Sequence, residues 1–184
     1  MHNGKLILGI DTSTSILDIA VIDSGGSILA GETSDNEKTH SERAMPAIDN
    51  VLRSANLSIN DIDIFAACIG PGSYTGVRIG VSIAKGLALA AEKKYKTISS
   101  FDLMAHKKEG LVIPVIDARR DAVFACGYQN EKQILKPERI DLEELKAKFK
   151  DQNYTLIEPH AGKWAGVTLD MLGNEDIIYL GGSI

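Results

Sequence analysis

The chain has little of what marks secreted, membrane or metal-binding proteins. Its 184 residues include two cysteines, Cys68 and Cys126, each in an apolar run outside any CxxC spacing, so we expect reduced core thiols. No apolar run approaches the roughly 20 residues of a membrane-spanning helix, and no signal-peptide pattern opens the chain, which favours a cytoplasmic protein with no membrane partner. The four histidines form no HxxxH or HExxH pair, so we expect no zinc site.

Concentrated positive charge is also missing. The formal net charge is −5, and the lysines and arginines are scattered along the chain. Nucleic-acid-binding proteins usually carry a basic stripe that contacts phosphates, so we do not expect this chain to grip RNA by itself. What the chain does have is a hydrophobic content of 44%, enough for one large domain or two small ones with real cores.

The first hundred residues alternate apolar runs with turn residues. Strands are predicted at 6–10, 16–22, 27–32, 62–69 and 95–98, with helices after Thr39 and at 74–93. Thr39 and Glu42 fit a capping box, but Pro46 argues against a regular helix before Met45. The order strand, strand, strand, helix, strand, helix, strand is that of a ribonuclease-H-like α/β domain, in which helices cover a mixed sheet.

A weak internal repeat relates the two halves of the chain. An offset of about 106 residues aligns Asp117 with Asp11, each at the end of a strand-like run, and a capped helix beginning at Asp141 follows in the second half. We therefore predict two copies of one fold, an N-terminal domain at 1–103 and a smaller, shortened C-terminal domain at 104–184.

The first candidate site is the turn Asp11, Thr12 and Ser13 at the tip of the first hairpin. A carboxylate, hydroxyls and loop amides at such a tip can hold a metal-bound phosphate. The alternative is an ordinary Asx or Ser/Thr turn, which the three residues taken alone favour.

The second candidate site is a glycine-rich loop between a buried strand and a helix. Its residues are Gly70, Pro71, Gly72, Ser73, Tyr74, Thr75, Gly76 and Arg78. Small residues there let helix N-terminal amides approach an anion. The loop is not a Walker motif, since Val77 follows Gly76, and the next strand ends without the acidic residue of a dinucleotide site. Ser73 is not in a GxSxG elbow, which disfavours a serine hydrolase.

Two helices carry small and apolar residues on more than one side. Gly76, Gly80, Ala84 and Ala88 form one i, i+4 row, which allows close approach of another helix. Ordinary packing on the parent sheet is the alternative that this spacing leaves open. The full predicted interface set is Ala44, Ile48, Val51, Leu52, Gly76, Gly80, Ile83, Ala84, Leu87 and Ala88.

The second copy of the phosphate-type turn is degenerate. Asp117 is followed by Ala118, which has no hydroxyl, and then by Arg119 and Arg120, which would fill the space of a γ-phosphate and its metal. We therefore expect nucleotide hydrolysis to be crippled or absent and assign no catalytic residue. The two arginines can instead bind an acidic partner or simply be solvated.

The segments 8–13, 40–42, 70–80 and 117–120 together resemble the TsaB (YeaZ) family, over roughly residues 5–130. The resemblance implies two domains of the actin, heat-shock chaperone and sugar kinase fold. It also implies a non-catalytic subunit for making N6-threonylcarbamoyladenosine in tRNA, which forms a homodimer or pairs with a TsaD-type transferase through the N-terminal helices. A TsaE-type ATPase joins the assembly, ATP and metal are expected on the TsaD-type partner, and tRNA is met only through the complex.

Two alternative functions remain open beside the one that the resemblance implies. The Asp11 turn keeps its hydroxyls, so an active enzyme of the same superfamily, either an ATP-dependent kinase or a glycoprotease-type peptidase, is the alternative. A dinucleotide-binding protein is the third. The family pattern includes closing C-terminal helices that pack back on the first domain, and we expect these to be missing from this sequence, which runs to Ile184.

Overall fold

The computed structural model describes residues 4–35, 39–175 and 178. Its elements, in chain order, are β1 (Leu6–Asp11), β2 (Leu17–Asp23), β3 (Ile28–Ser34), α1 (His40–Ser54), β4 (Ile64–Cys68), α2 (Tyr74–Ala90), β5 (Lys94–Ile98), α3 (Ser100–Ala105), β6 (Leu111–Asp117), β7 (Ala122–Gln129), β8 (Lys132–Asp141), α4 (Leu142–Lys148) and β9 (Tyr154–Ile157). Short 3₁₀ turns lie at Ile59–Asp61 and Leu169–Met171.

The first sheet has five strands in the order β3-β2-β1-β4-β5. Strands β1, β2 and β3 are antiparallel neighbours, whereas β4 and β5 run parallel to β1. Strand β1 is buried along its whole length because both faces of the sheet are covered. Leu6, Leu8 and Ile10 face α1 and α2, while Ile7 points to the opposite face.

The second sheet repeats this plan with four strands in the order β8-β7-β6-β9. Strand β6 pairs antiparallel with β7 and parallel with β9, as β1 does with β2 and β4. The turns match as well. The Asp11 Oδ1 atom accepts the Ser13 amide at 2.8 Å, and the Asp117 Oδ1 atom accepts the Arg119 amide at 2.7 Å. The predicted α/β class, two mixed sheets flanked by helices, is confirmed.

The helices differ from the sequence-based prediction at their ends. Helix α1 begins at His40 and contains Pro46, so the prediction of a boundary near Met45 was wrong. Pro46 removes one interior hydrogen bond, but it lies on the exposed side of the helix, where water can satisfy the freed carbonyl. The Thr39 side chain makes no capping hydrogen bond. None of the helices in the described part of the chain is long and apolar enough to cross a membrane.

The second face of the first sheet is covered by a segment that lies much later in the sequence. Residues 160–173, called here the return segment, come back after β9 and bring Trp164, Val167 and Leu172 into the core on that face. Gly173 pairs with Thr97 of β5 through two backbone hydrogen bonds of 2.8 and 3.0 Å. The predicted division at residue 103 stays a prediction, and helix α3 spans it.

Candidate functional site

The Asp11 turn lies at the end of β1 and is closed from the solvent. Asp11, Thr12 and Ser13 are all buried, which is unusual for a hairpin tip. The alternation of strand β1 explains the direction of the carboxylate. Ile7, Gly9 and Asp11 lie on one face of the sheet, so the Asp11 side chain points toward the return segment and away from α1 and α2.

The glycine-rich loop packs directly against this turn. A Cβ atom added at Gly72 would lie 2.1 Å from the Ser13 carbonyl oxygen, and one added at Gly76 would lie 2.1 Å from the Thr12 carbonyl oxygen. The Ser73 amide donates to the Ser13 carbonyl at 2.7 Å, and the Thr12 hydroxyl donates to the Gly76 carbonyl at 2.6 Å. Glycine is therefore required at these positions because two loops of the same chain touch there.

The other residues of the glycine-rich loop do not enter the turn. Ser73 caps α2 by accepting the Gly76 amide at 3.2 Å. Tyr74 and Arg78 lie outside, with the guanidinium 4.2 Å from the centre of the tyrosine ring, and Thr75 is exposed. Gly70 and Pro71 lead into the loop through a cis peptide bond.

A lysine that sequence reasoning missed occupies the turn. The Lys163 Nζ atom lies 2.5 Å from the Asp11 Oδ2 atom, and the two side chains are 1% and 0% exposed. Lys163 belongs to the return segment, which no periodic pattern marked. Lysine is almost never fully buried without a partner, so a lone lysine beside a tryptophan was the available, weak signal.

A second carboxylate completes the cluster. Asp18 lies directly opposite Asp11 in the antiparallel β1–β2 pair, so the two side chains share one face of the sheet. The Asp18 Oδ2 atom accepts the Lys163 amide at 2.8 Å, and its carbonyl accepts the Trp164 Nε1–H group at 3.1 Å. The Trp164 ring covers Gly9, where an added Cβ would be 2.3 Å from a ring atom.

The three charges shift one another's pKa values. Burial alone would raise the pKa of Asp11, but the Lys163 ammonium outweighs it and holds that pKa below its ordinary value. Burial would likewise lower the pKa of Lys163, and Asp11 raises it above its ordinary value. Burial raises the pKa of Asp18 to about 6, and the charge of Asp11 adds to the shift. With one ammonium and two carboxylates, the cluster holds a surplus negative charge near neutral pH.

Hydroxyl and thiol groups next to the cluster are structural. The Ser100 hydroxyl donates to the Ser13 hydroxyl at 3.0 Å, and the Cys68 sulfur lies 3.1 Å from the Ser100 oxygen. Burial raises the pKa of the Cys68 thiol to about 12, with the charge of Asp11 as the next cause. The thiolate is the nucleophilic form, so Cys68 is not a nucleophile here.

A metal-bound nucleotide does not fit this arrangement. The Asp11 carboxylate that would face the metal is held by Lys163, and the loop amides and glycines are packed against the turn itself. Across residues 4–35, 39–175 and 178, no three His, Cys, Asp or Glu side chains are placed to share a metal ion.

Comparison with known proteins identifies the family. The model of the family described as TsaD, tRNA N6-adenosine threonylcarbamoyltransferase, matches residues 29–156. The Bacillus subtilis tRNA threonylcarbamoyladenosine biosynthesis protein TsaB is 38% identical over 132 residues, 70% of this chain and 57% of that protein. The chain belongs to the TsaB (YeaZ) family. The Escherichia coli TsaB protein is 36% identical over 149 residues, 73% of this chain and 64% of that protein. The chain thus spans little more than half the length of the curated TsaB relatives it matches.

Solved structures of TsaB (YeaZ) relatives have the same fold. YeaZ from Pseudomonas aeruginosa superimposes with a TM-score of 0.72 at 24% identity, over 83% of this chain and 75% of that chain. A protein described as uncharacterized, with similarity to peptidase YeaZ from Pseudomonas aeruginosa, gives a TM-score of 0.77 at 21% identity, over 96% of this chain and 100% of that chain. At these identities the likeness concerns the fold alone.

The second-domain loop of this TsaB-family chain is exposed to solvent, unlike the buried cluster at Asp11. Asp117 is exposed, and so are Arg119 and Arg120, which have left-handed φ angles of 62° and 55°. Exposure does not test the expectation that these arginines fill the space of a phosphate, which stays a prediction. The cation buried in the phosphate-type turn is Lys163, supplied by the return segment.

The TsaB-family interface set is mostly buried inside the chain itself. Eight of its members pack in the core between the two helices and the first sheet: Ala44, Ile48, Val51, Leu52, Gly76, Gly80, Ala84 and Ala88. The row of glycines and alanines therefore packs on the parent sheet, which is the alternative that its spacing left open. Gly80 fits the turn closely, since an added Cβ would be 2.5 Å from the Thr12 hydroxyl oxygen. Ile83 and Leu87 are partly exposed, and Leu89 is 81% exposed.

Proposed function

We propose that this chain is a binding subunit without catalysis of its own in the formation of N6-threonylcarbamoyladenosine beside the tRNA anticodon. The observation that carries the proposal is the closed Asp11 turn, in which the buried Asp11 carboxylate is paired with the Lys163 ammonium of the same chain. The TsaB-family membership supplies the pathway. In this proposal a TsaD-type subunit carries ATP and metal and performs the transfer, and a TsaE-type ATPase joins the assembly. The chain needs no cofactor, works in the cytoplasm and meets tRNA only through the complex.

Phosphoryl-transfer chemistry supports the absence of catalysis. Catalysis of that kind depends on positioning a phosphate and its metal between preorganised donors and charges. Here the Thr12 hydroxyl donates to the Gly76 carbonyl, the Ser13 hydroxyl accepts from the Ser100 hydroxyl, and the Asp11 carboxylate is paired with Lys163. The polar groups that would face a nucleotide therefore already have partners within the chain.

We further propose that partners bind the outer side of α1 and α2. The buried row cannot supply contact atoms, but Ile83 and Leu87 form an i, i+4 pair that remains partly exposed. Met45 on α1 is 47% exposed and adds apolar surface on the same helix pair. A second copy of the chain and a TsaD-type subunit would compete for this surface.

Calorimetry with Mg-ATP, combined with a turnover assay on the isolated chain, tests the lack of catalysis. We expect neither tight binding nor turnover. Enzyme-like ATP turnover or peptide cleavage by the chain alone would overturn the proposal in favour of the kinase or peptidase alternative. Depletion of the protein should lower the N6-threonylcarbamoyladenosine content of cellular tRNA, and an unchanged content would overturn the pathway assignment.

The variant Ile83→Arg tests the partner surface. Placing a charge in an apolar interface should weaken association about 30-fold or more, typical of a hot-spot loss of about 2 kcal/mol. The matched control is Ile134→Arg, an exposed isoleucine on β8 of the second sheet. We expect co-purification with the TsaD-type subunit to be lost in Ile83→Arg and kept in Ile134→Arg. Equal co-purification of the two variants would place the interface elsewhere.

A further inference from the structure

A cavity of about 390 Å³ lies beside the open edge of the second sheet. Strand β9 is the last strand on that side in the described part of the chain, whereas the equivalent strand of the first sheet, β4, has β5 as its parallel neighbour. Side chains of β6 and β9 therefore line the cavity, and three of them are apolar: Val112, Leu156 and Ile157. No lining residue belongs to the Asp11 turn or to the glycine-rich loop.

The rest of the lining carries charges that are not paired with one another. Lys107, Lys108 and Glu109 connect α3 with β6, and Glu158 and His160 follow β9. Among residues 4–35, 39–175 and 178, neither lysine takes part in a salt bridge. Two ammonium groups without a carboxylate partner are available to an external anion, with which lysine forms charge-assisted hydrogen bonds.

The His160 ring lies in a positive potential at its end of the cavity. Burial lowers the pKa of this half-buried ring, and the positive charges of Lys163 and Lys108 lower that pKa further, while the hydrogen bond to the Glu158 carbonyl opposes them. The Nδ1 atom lies 3.2 Å from that carbonyl, which can only accept, so Nδ1 donates. The Nε2 atom is then the ring atom that can contact a ligand, and an anion here would be stabilised by Lys108 and by a protonated ring.

The loop that carries the two lysines is held in place by the rest of the chain. Lys107 has a left-handed φ angle of 60°, and its amide donates to the Glu131 Oε1 atom at 2.7 Å. The Lys107 side chain lies over Gly166 of the return segment, where an added Cβ would be 2.1 Å from the Nζ atom. The neighbouring His106 Nε2 atom lies 2.8 Å from the Ala165 carbonyl oxygen. One wall of the cavity is thus fixed in advance, which reduces the ordering cost of binding.

We propose that this cavity binds a small organic phosphate, with the phosphate at the end formed by Lys108 and His160 and the organic part against the apolar side chains of β6 and β9. The volume is in the range of small-molecule sites, about 300–1,000 Å³. A phosphate ester carries a charge of about −1.5 to −2 at pH 7, which suits two lysines and a histidine. Glu109 and Glu158 line the same cavity and disfavour an extended polyanion such as RNA. The inference is independent of the role in tRNA modification, because its test measures ligand binding by the isolated chain.

An NMR titration of the His160 ring tests the site with three probes. Phenyl phosphate has both the charge and the apolar part, inorganic phosphate has only the charge, and phenol has only the ring. The chain has four histidines, so the variant His160→Gln identifies the signal. We expect phenyl phosphate to bind in the range of about 0.1–1 mM and to raise the pKa of His160, because an anion favours the protonated ring. Inorganic phosphate and phenol should each bind at least about tenfold more weakly.

The variant Lys108→Gln removes one of the proposed phosphate contacts. We expect it to bind phenyl phosphate about three- to tenfold more weakly, since a charged hydrogen bond at a partly exposed site is lost. The matched control is Lys150→Gln, which removes an exposed lysine outside the cavity and should bind as the unsubstituted chain does. Both lysines are exposed, so both variants should fold, which circular dichroism checks.

Four results would overturn the proposal. They are a His160 signal that phenyl phosphate leaves unchanged, equal binding by Lys108→Gln and Lys150→Gln, equal binding of phenyl phosphate and either of the other two probes, and displacement of phenyl phosphate by a lower concentration of an RNA oligonucleotide. The last result would assign the lysines to a nucleic-acid backbone instead of a small ligand.

Discussion

Asp18 is the buried residue whose ionised form destabilises the folded state, so Asp18→Asn should stabilise the protein. Burial raises its pKa from 3.8 to about 6, which means that the folded state favours the protonated form. Asparagine has no charge to bury, and its side-chain oxygen can still accept the Lys163 amide. The change would also remove the surplus negative charge and leave a balanced Asp11–Lys163 pair.

The magnitude follows from proton linkage. A shift of about 2 pKa units corresponds to about 3 kcal/mol of unfavourable free energy once both states are ionised, since each unit is about 1.4 kcal/mol. The favourable contribution of protonated Asp18 is fully present below pH 4 and is lost as the pH rises toward 6. Relaxation around the ionised group reduces the effect, so we expect a gain of about 1–3 kcal/mol at pH 7. For a chain of this length each kcal/mol raises the melting temperature by about 2–4 °C.

Thermal unfolding between about pH 4 and pH 8 measures the effect. The single tryptophan, Trp164, reports on the return segment directly, and circular dichroism reports on the whole chain. We expect the unsubstituted protein to lose this stability between about pH 4 and pH 6 and Asp18→Asn to lose much less. The control Asp151→Asn alters an exposed carboxylate and should leave the curve unchanged. A pH dependence that is identical in Asp18→Asn and the unsubstituted protein would refute the reasoning.

Two further substitutions test the packing. Gly9→Ala would place a methyl group 2.3 Å from the Trp164 ring, so we expect a loss of about 1–3 kcal/mol and a red shift of the tryptophan fluorescence. Gly86→Ala is the matched control, because nothing lies within 4 Å of its Cβ, and the exposed helix should gain about 0.5–1 kcal/mol. Normal fluorescence in Gly9→Ala would mean that the ring does not cover the strand. Ala84→Arg would bury an unpaired charge in the chain's own core, so we expect it to misfold, and a soluble, folded variant would show that this helix face is free.

The residue types of the Asp11 turn do not show whether the turn is open to a ligand or closed by the chain itself. The hydroxyl-bearing turn after β1 has the residue types of a phosphate loop, and its sequence keeps the possibility of a working enzyme open. The ion pair between Asp11 and a lysine of the return segment closes this turn and argues against a working enzyme. A turn that binds its own chain needs no external phosphate to satisfy its donors.

The spacing of small residues on α2 does not determine what packs against them. A row of glycine and alanine allows close approach, but the spacing is the same whether the neighbour is a partner helix or the parent sheet. The structure places Gly76 and Gly80 against Thr12 of the same chain. Under the proposed function, partner contacts would come from residues outside the buried row, and of these Ile83 and Leu87 belong to the predicted set.

Local patterns in the sequence were enough for most elements of the first half, the α/β class and the repeat, whereas helix α3 was not predicted. Apolar runs of strand length, turn residues and the Asp141 cap depend on neighbours close in the chain, so the sequence carries them directly. The repeat of Asp11 at Asp117 was also visible, and the two turns have the same hydrogen bond.

Only the tertiary structure decided what the Asp11 turn does. Asp18 and Lys163 are 145 residues apart in sequence, and the return segment between β9 and the chain's last described residues has no periodic pattern that would announce its place. Burial of a charge is a property of the assembled fold, because it depends on which distant groups exclude water from it. The sequence therefore determined the framework and the family, while the pairing of Asp11 with Lys163 arose from long-range packing.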